Sequence, residues 1–295
     1  MRITFLGTAA AIPTKERSLP AIHVGHSKTS ILLDCGEGTQ GQMVKAGIAV
    51  VKLDAIFISH LHGDHYYGMP GLIDTLCLQQ REEKLVVYGP QGIQKMAEQM
   101  LPLGKDKLTF DLQIKEIGNE SLFKIKKLNV RTCHSNHVEA SIAIRLETDR
   151  KYGKFNSKLA DELGIGLGPE RQKLIEGKEI IHNGKTITPE MLVGPKTDGK
   201  SVVYTGDTGP SEEIVELAKD ADVLIHESTF LDPKKAEEGG HSTPLDAANT
   251  ARKANCKQLI LFHISHRHKP EEVLEIAQKE FPNVSVAEDF MRIEI

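Results

Sequence analysis

Residues 59–71 read Ser-His-Leu-His-Gly-Asp-His-Tyr-Tyr-Gly-Met-Pro-Gly, so His60, His62, Asp64 and His65 crowd four metal-competent side chains into six positions. The run follows Ala55-Ile-Phe-Ile-Ser59, a short aliphatic and aromatic stretch that reads as a strand. Any fold for this chain must therefore end a strand where a metal site opens. Residues two apart on extended backbone point the same way, which lets His60 and His62 reach one ion together. Gly63 then turns the chain and aims Asp64 and His65 at a second position. Imidazole and carboxylate donors without thiolates suit zinc ahead of iron or manganese. An exposed polar turn that is rich in histidine by chance is the competing reading, and the spacing disfavours it.

Around this run, strand signals alternate with helix signals. Strands are expected at Arg2–Leu6, Ala21–Val24, Ser30–Asp34, Leu85–Tyr88, Ser201–Thr205, Val223–His226, Gln258–Phe262 and Val284–Val286, with more between 110 and 148. Helices are expected at Thr39–Ala46, near Pro70–Gln80, and at Ile93–Met100, Glu212–Lys219, Pro244–Ala254 and Pro270–Glu280. Consecutive strands near each end can pair as antiparallel meanders, which argues for an α/β protein with more than one sheet. Between about 149 and 200 the texture shifts to glycine, lysine and glutamate, with ten basic against eight acidic residues. That stretch reads as an inserted arm rather than core.

Composition narrows the class. The chain has 295 residues, 39% of them apolar and 26% charged, and no run approaches the length that spans a bilayer. No secretory signal is visible at the amino terminus. Cys35, Cys77, Cys133 and Cys256 are scattered, without a Cys-x-x-Cys pair, which fits buried or incidental thiols in a reducing, cytoplasmic setting. A net charge of −4 does not advertise nucleic-acid binding, and it does not exclude a local basic patch.

Three more places offer metal ligands, each at or beyond a strand end: His134 and His137 in Cys133-His-Ser-Asn-His137, Asp207 in Tyr204-Thr-Gly-Asp-Thr208, and His263 in Leu261-Phe-His-Ile-Ser265. Each alone reads as a capping or solvated residue. In this order after the first motif, the set resembles the metallo-β-lactamase superfamily, whose mark is His-x-His-x-Asp-His followed by a distant histidine, an aspartate and a final histidine. Within it the chain is similar to the ribonuclease Z family, endonucleases that trim the 3′ end of precursor tRNA. Segments that carry the resemblance include Pro13-Thr-Lys-Glu-Arg17, Asp34-Cys-Gly-Glu-Gly-Thr-Gln40, the long histidine motif from Leu61 to Gly71, His226-Glu-Ser-Thr-Phe230 and His241-Ser-Thr243.

The resemblance implies a four-layer αββα sandwich of two mixed β-sheets flanked by helices. It implies one domain over 1–295 with the inserted arm gripping tRNA, where Gly168-Pro-Glu-Arg-Gln-Lys-Leu174 matches a family motif. Two zinc ions per chain are implied, one on His60, His62, His137 and Asp207, the other on Asp64, His65, Asp207 and His263. His137 is preferred to His134 because it lies eight residues before Arg145, although Ile144 stands where the family usually has tyrosine. His263-Ile-Ser-His-Arg-His268 also departs from the family, which carries an aromatic after that arginine. A homodimer is the family expectation.

For the chemistry, Asp64 is the candidate proton acceptor from an attacking water. His241 is the candidate acid towards the leaving 3′ oxygen, with Glu227 holding its second nitrogen. The competing reading of His241 is a bystander beside a helix cap made by Ser242 or Thr243. Tyr66 and Tyr67 read as packing ahead of base stacking.

Two nucleotide-binding motifs mislead. Gly194-Pro-Lys-Thr-Asp-Gly-Lys-Ser201 has the P-loop pattern but leads into a strand rather than a helix. Gly36-Glu-Gly-Thr-Gln-Gly41 has the dinucleotide fingerprint, yet the next strand ends in Ser59-His60 instead of an acidic residue. Other functions remain open on the same frame: a hydrolase of small phosphodiesters, esters or thioesters, or a non-catalytic RNA-binding module with structural metals.

Overall fold

Alternation along the strands sorts the apolar residues into separate layers. The computed structural model describes residues 1–100, 108–150, 153–194 and 198–295. The first sheet holds β1 (Arg2–Gly7), β2 (Ala21–His26), β3 (Thr29–Leu33), β4 (Ala55–Phe57), β5 (Leu85–Gly89) and β6 (Leu112–Glu116) in that order. The second holds β7 (Leu122–Ile125), β8 (Leu128–His134) and β9 (Ile142–Thr148). After a small hairpin, β10 (Ile180–His182) and β11 (Lys185–Ile187), it continues with β12 (Ser201–Tyr204), β13 (Val223–Glu227), β14 (Leu259–Phe262) and β15 (Val284–Val286). The last strand, β16 (Arg292–Glu294), returns to the first sheet beside β1.

Both sheets are mixed. β1, β2 and β3 pair antiparallel and β3 to β6 parallel. β12 to β15 are parallel, with β9 antiparallel to β12. Ile3, Phe5, Ile22, Val24, Ile31 and Phe57 of the first sheet meet Val130, Ile144, Val202, Tyr204, Ile225 and Phe262 of the second in one buried layer. The alternate positions face helices: Met43, Leu72, Ile73, Leu76 and Ile93 cover the first sheet, and Ile214, Ala247, Ala251 and Val273 the second. The result is a four-layer αββα sandwich. Among the described residues no helix is long and apolar enough to cross a membrane.

Thr148–Gly199 forms a separate compact unit. Contrary to its polar texture, it has a small core of its own, with Ala160, Ile165, Leu174, Ile180, Ile187 and Leu192 buried. Arg171 is buried with them and satisfied by the Ile165 carbonyl and the Asp161 carboxylate. Six small contributions suffice for a unit of this size, so no long apolar run was there to find.

β16 was also unforeseen, because Arg-Ile-Glu alternates like surface, as an edge strand does. Residues 195–197 of the P-loop-like stretch lie outside the described residues, and the chain after it is strand β12. At Gly36 a Cβ would lie 2.5 Å from the Asp64 carbonyl oxygen, so that glycine serves a close approach of backbone to the histidine loop.

Candidate metal centre

The two sheets bring their strand ends to one place. Past β4 the chain is caught by Asp34 at the end of β3, whose carboxylate accepts from the Ser59 backbone N–H at 2.7 Å and from its hydroxyl at 2.8 Å. The same carboxylate accepts from His65 Nδ1 at 2.7 Å and from the Tyr204 hydroxyl at 2.6 Å. Asp34 is wholly buried and adopts a left-handed φ of 56°, which turns the strand end inwards. From the second sheet, Gly206 turns the chain at a φ of 58°, and a Cβ there would lie 2.7 Å from that of Ser59. Asp207 follows at once.

Four histidines are oriented by the same device. His65 Nδ1 is held by Asp34, His60 Nδ1 by the Ser59 hydroxyl at 3.1 Å, His137 Nδ1 by the Gly240 carbonyl at 2.8 Å, and His263 Nδ1 by the Thr229 hydroxyl at 2.8 Å. Ser59 and Thr229 spend their own protons on Asp34 and Glu227, so they accept from the imidazoles. Each ring then carries its hydrogen on Nδ1 and a bare lone pair on Nε2.

These lone pairs converge. His60 Nε2 lies 3.0 Å from His62 Nδ1, which lies 3.1 Å from His137 Nε2. Tetrahedral bonds of zinc to nitrogen near 2.0–2.1 Å would set such atoms about 3.4 Å apart. Asp207 stands between two groups. Its Oδ2 is 3.6 Å from His60 Nε2, and its Oδ1 is 3.5 Å from His65 Nε2 and from His263 Nδ1. Asp64 Oδ2 is 3.4 Å from both His65 Nε2 and His263 Nε2, and it also accepts from the Ala11 backbone N–H at 3.1 Å. His65 Nε2 and Asp207 Oδ1 are buried with no hydrogen-bond partner. Buried lone pairs facing one another are costly unless a cation sits among them. The donor set therefore fits metal ions: His60, His62, His137 and Asp207 converge as one group, and Asp64, His65 and His263 as another.

Local fields agree. Burial opposes ionisation of Asp207, but His263, His65 and His60 outweigh it and hold its pKa well below the carboxylate range. Asp64 is likewise held low against burial by the neighbouring rings of His263 and His65. Burial pushes His60 towards the neutral form that ligates metal. His65 is drawn the other way, since Asp207 and Asp34 overcome its burial.

Beside the cluster, His241 Nδ1 donates to Glu227 Oε1 at 2.7 Å. Glu227 is wholly buried and pinned by the backbone N–H groups of Thr208 and Thr229, both at 3.0 Å. Burial lowers the basicity of His241, and Glu227 more than restores it, so its pKa is raised. The helix Pro244–Lys253 is capped by Thr243, with Asp246 completing a capping box, while the Ser242 hydroxyl goes to the Thr208 carbonyl. His241 is thus not engaged in capping. A cleft of about 200 Å³ opens over His62, Asp64, Asp207, His241 and His263, walled by Phe230 and Arg267.

Every residue singled out for the site in the sequence is in or beside this cluster, whereas His134 is not. Its Nδ1 faces the Ser141 carbonyl at 3.4 Å. Tyr66 packs against the core under the helices of the first sheet, and Tyr67 is 57% exposed. The sequence assigned no role to Asp34, Ser59, Tyr204 or Thr229, although all four lay inside quoted motifs.

Comparison with known proteins follows the same lines. A family model described as anti-Pycsar protein Apyc1 matches residues 1–155, and one described as a beta-lactamase superfamily domain matches residues 181–264. Ribonuclease Z of Archaeoglobus fulgidus is 43% identical over 299 residues, covering 100% of this chain and 97% of its own. Ribonuclease Z of Methanosarcina mazei is 40% identical, covering 100% and 98%. Among solved structures, the short form of human tRNase Z is similar with a TM-score of 0.71 at 27% identity, covering 100% of this chain and 99% of its own.

Proposed function

The chain belongs to the ribonuclease Z family within the β-lactamase superfamily, with an amino-terminal half of the Apyc1 type, and from that premise we propose that it is a zinc-dependent endoribonuclease that removes the 3′ trailer from precursor tRNA. The observation that carries the reading is the convergence of bare imidazole nitrogens from remote segments on the two faces of one buried carboxylate, Asp207.

His60, His62, His137 and Asp207 would hold one zinc ion, and Asp64, His65, Asp207 and His263 a second. Zinc held by these residues would lower the pKa of a water towards about 7 and offset charge on the scissile phosphate, which would let even a weakly basic carboxylate act as proton acceptor. Asp64 takes that proton, with the Ala11 N–H fixing its Oδ2. Glu227 holds His241 protonated on Nδ1, leaving Nε2 to deliver a proton to the departing 3′ oxygen. Thr229 couples this pair to the cluster, since its hydroxyl contacts both Glu227 and His263. The unit 148–199 binds the body of the tRNA through backbone phosphates, so affinity falls as salt rises. The enzyme works as a homodimer.

The test offers the purified protein a 3′-extended tRNA and, separately, a thioester. Release of the trailer as a discrete fragment is expected. Turnover of the thioester alone would replace this reading with a small-substrate hydrolase on the same frame.

A further inference from the structure

The cluster occupies the carboxyl ends of β3 and β4, and a larger groove opens at their amino ends. Its volume is about 660 Å³, within the range of sites for small ligands. Thr29 and Ser30 at the start of β3 and Asp54 just before β4 line it, roughly 16 Å from the cluster at about 3.3 Å per strand residue.

The floor is the outer face of the first sheet. Residues of β1, β2 and β3 that alternate with Ile3, Phe5, Ile22, Val24 and Ile31 of the inter-sheet core are polar here: Thr4 opposite His23, and Ser30 opposite Gly25. A face meant for a helix would carry apolar side chains, as it does beside Met43 and Leu72. His23 is nine-tenths buried. Its Nε2 meets the Ser30 hydroxyl at 2.9 Å, while its Nδ1 has no hydrogen-bond partner. Gly25 keeps the floor open, since a Cβ there would meet only the His23 ring, at 3.2 Å.

The rim is cationic. Arg2, Lys28, Lys52, Arg81, Lys126 and Arg292 line the groove against two carboxylates, Asp54 and Glu83, on a chain whose net charge is −4. Several of these cations are engaged. Arg2 pairs with Glu294 at 2.8 Å, Lys126 with Asp54 at 2.6 Å, Arg81 spans backbone carbonyls, and Arg292 reaches the Ala46 carbonyl. Lys28 and Lys52 are exposed and make no ion pair among the described residues.

We propose that this groove is a second site, distinct from the metal cluster, for a nucleotide-sized phosphate ligand, with the phosphate on Lys28 and Lys52 and the sugar or base over Thr4, His23 and Ser30. A bare anion would use the rim and leave the floor empty. Burial and the neighbouring Arg2 push His23 down to about 4, so at neutral pH the floor carries no charge there, which suits a neutral moiety. The inference is independent of the reaction assigned to the cluster.

Calorimetric titration of the metal-loaded protein with 5′-AMP, inorganic phosphate and an RNA trinucleotide tests it. Two variants accompany the wild type: Lys28→Glu with Lys52→Glu, and Gly25→Leu, which fills the floor without altering charge. The wild type should bind AMP at one more site than either variant, or at least tenfold more tightly there, and bind inorganic phosphate at least tenfold more weakly. All three proteins should cleave a chromogenic phosphodiester equally and melt at similar temperatures. A trinucleotide bound at least tenfold more tightly than AMP identifies an RNA strand as the ligand, and one bound no more tightly identifies a free nucleotide. Identical AMP isotherms in all three proteins, or phosphate bound as tightly as AMP, would overturn the proposal.

Discussion

The first sheet supplies its share of the cluster from a single loop, His60 to His65, whereas the second supplies one residue from each of several crossings: His137 after β8, Asp207 after β12, Glu227 at the end of β13 and His263 after β14. The loop is locked from behind by Asp34 and Ser59, and the scattered residues by Thr229 and Glu227. A contiguous motif places its ligands by local geometry. A dispersed set depends on sheet register, so it is assembled only by the complete fold. Asp207 is where the two halves meet.

Asp207→Ala should have the largest effect because it removes the residue shared by both groups. Metal content measured by mass spectrometry should fall below two ions per chain, and cleavage should drop by roughly a thousandfold or more. Full metal content with normal turnover would show that the halves do not depend on a common residue. His241→Ala spares both groups and should slow single-turnover cleavage by about 10²–10⁴-fold with tRNA affinity retained, the range expected for a lost general acid. An unchanged rate would make His241 structural.

Glu227→Gln should act through pH. The Glu227 carboxylate raises the His241 pKa, so the protonated, acid-competent form survives to higher pH in the wild type and is lost as pH rises through that value. Neutralising Glu227 lowers the pKa, and the alkaline limb of the rate profile should move to lower pH. A limb that stays in place would separate this pair from the reaction. Tyr204→Phe should be the mildest. It deletes one hydrogen bond to the Asp34 carboxylate, worth about 1.5–3 kcal/mol in urea denaturation, and leaves the metal count at that of the wild type. A loss of metal on this change would mean that the second sheet holds His65 as firmly as the first does.

The same contrast explains what could be read in advance. The histidine loop declared itself through spacing, and the apolar strands through alternation, so the two sheets and their covering helices fall close to the expected spans. Asp34 did not declare itself. Its role depends on a left-handed turn, complete burial and partners at Ser59, His65 and Tyr204, none of which leaves a local pattern. Thr229 stands inside a quoted motif, yet its hold on His263 depends on the alignment of β13 and β14. His137 and His134 share a segment and a residue type. The resemblance separated them by the spacing to Arg145, and the path of the chain after β8 carries His137 to the Gly240 carbonyl and leaves His134 beside Ser141.

The bond from Tyr204 to Asp34 joins residues 170 positions apart. While the chain is still being synthesised, a nascent amino-terminal half can present the histidine loop, but the cradle behind His65 lacks its far wall until the later half has docked. Asp207 and His263 come from that later half as well, so firm capture of ions would be a late event in maturation, and a polypeptide truncated before that point would leave the ribosome unable to secure them.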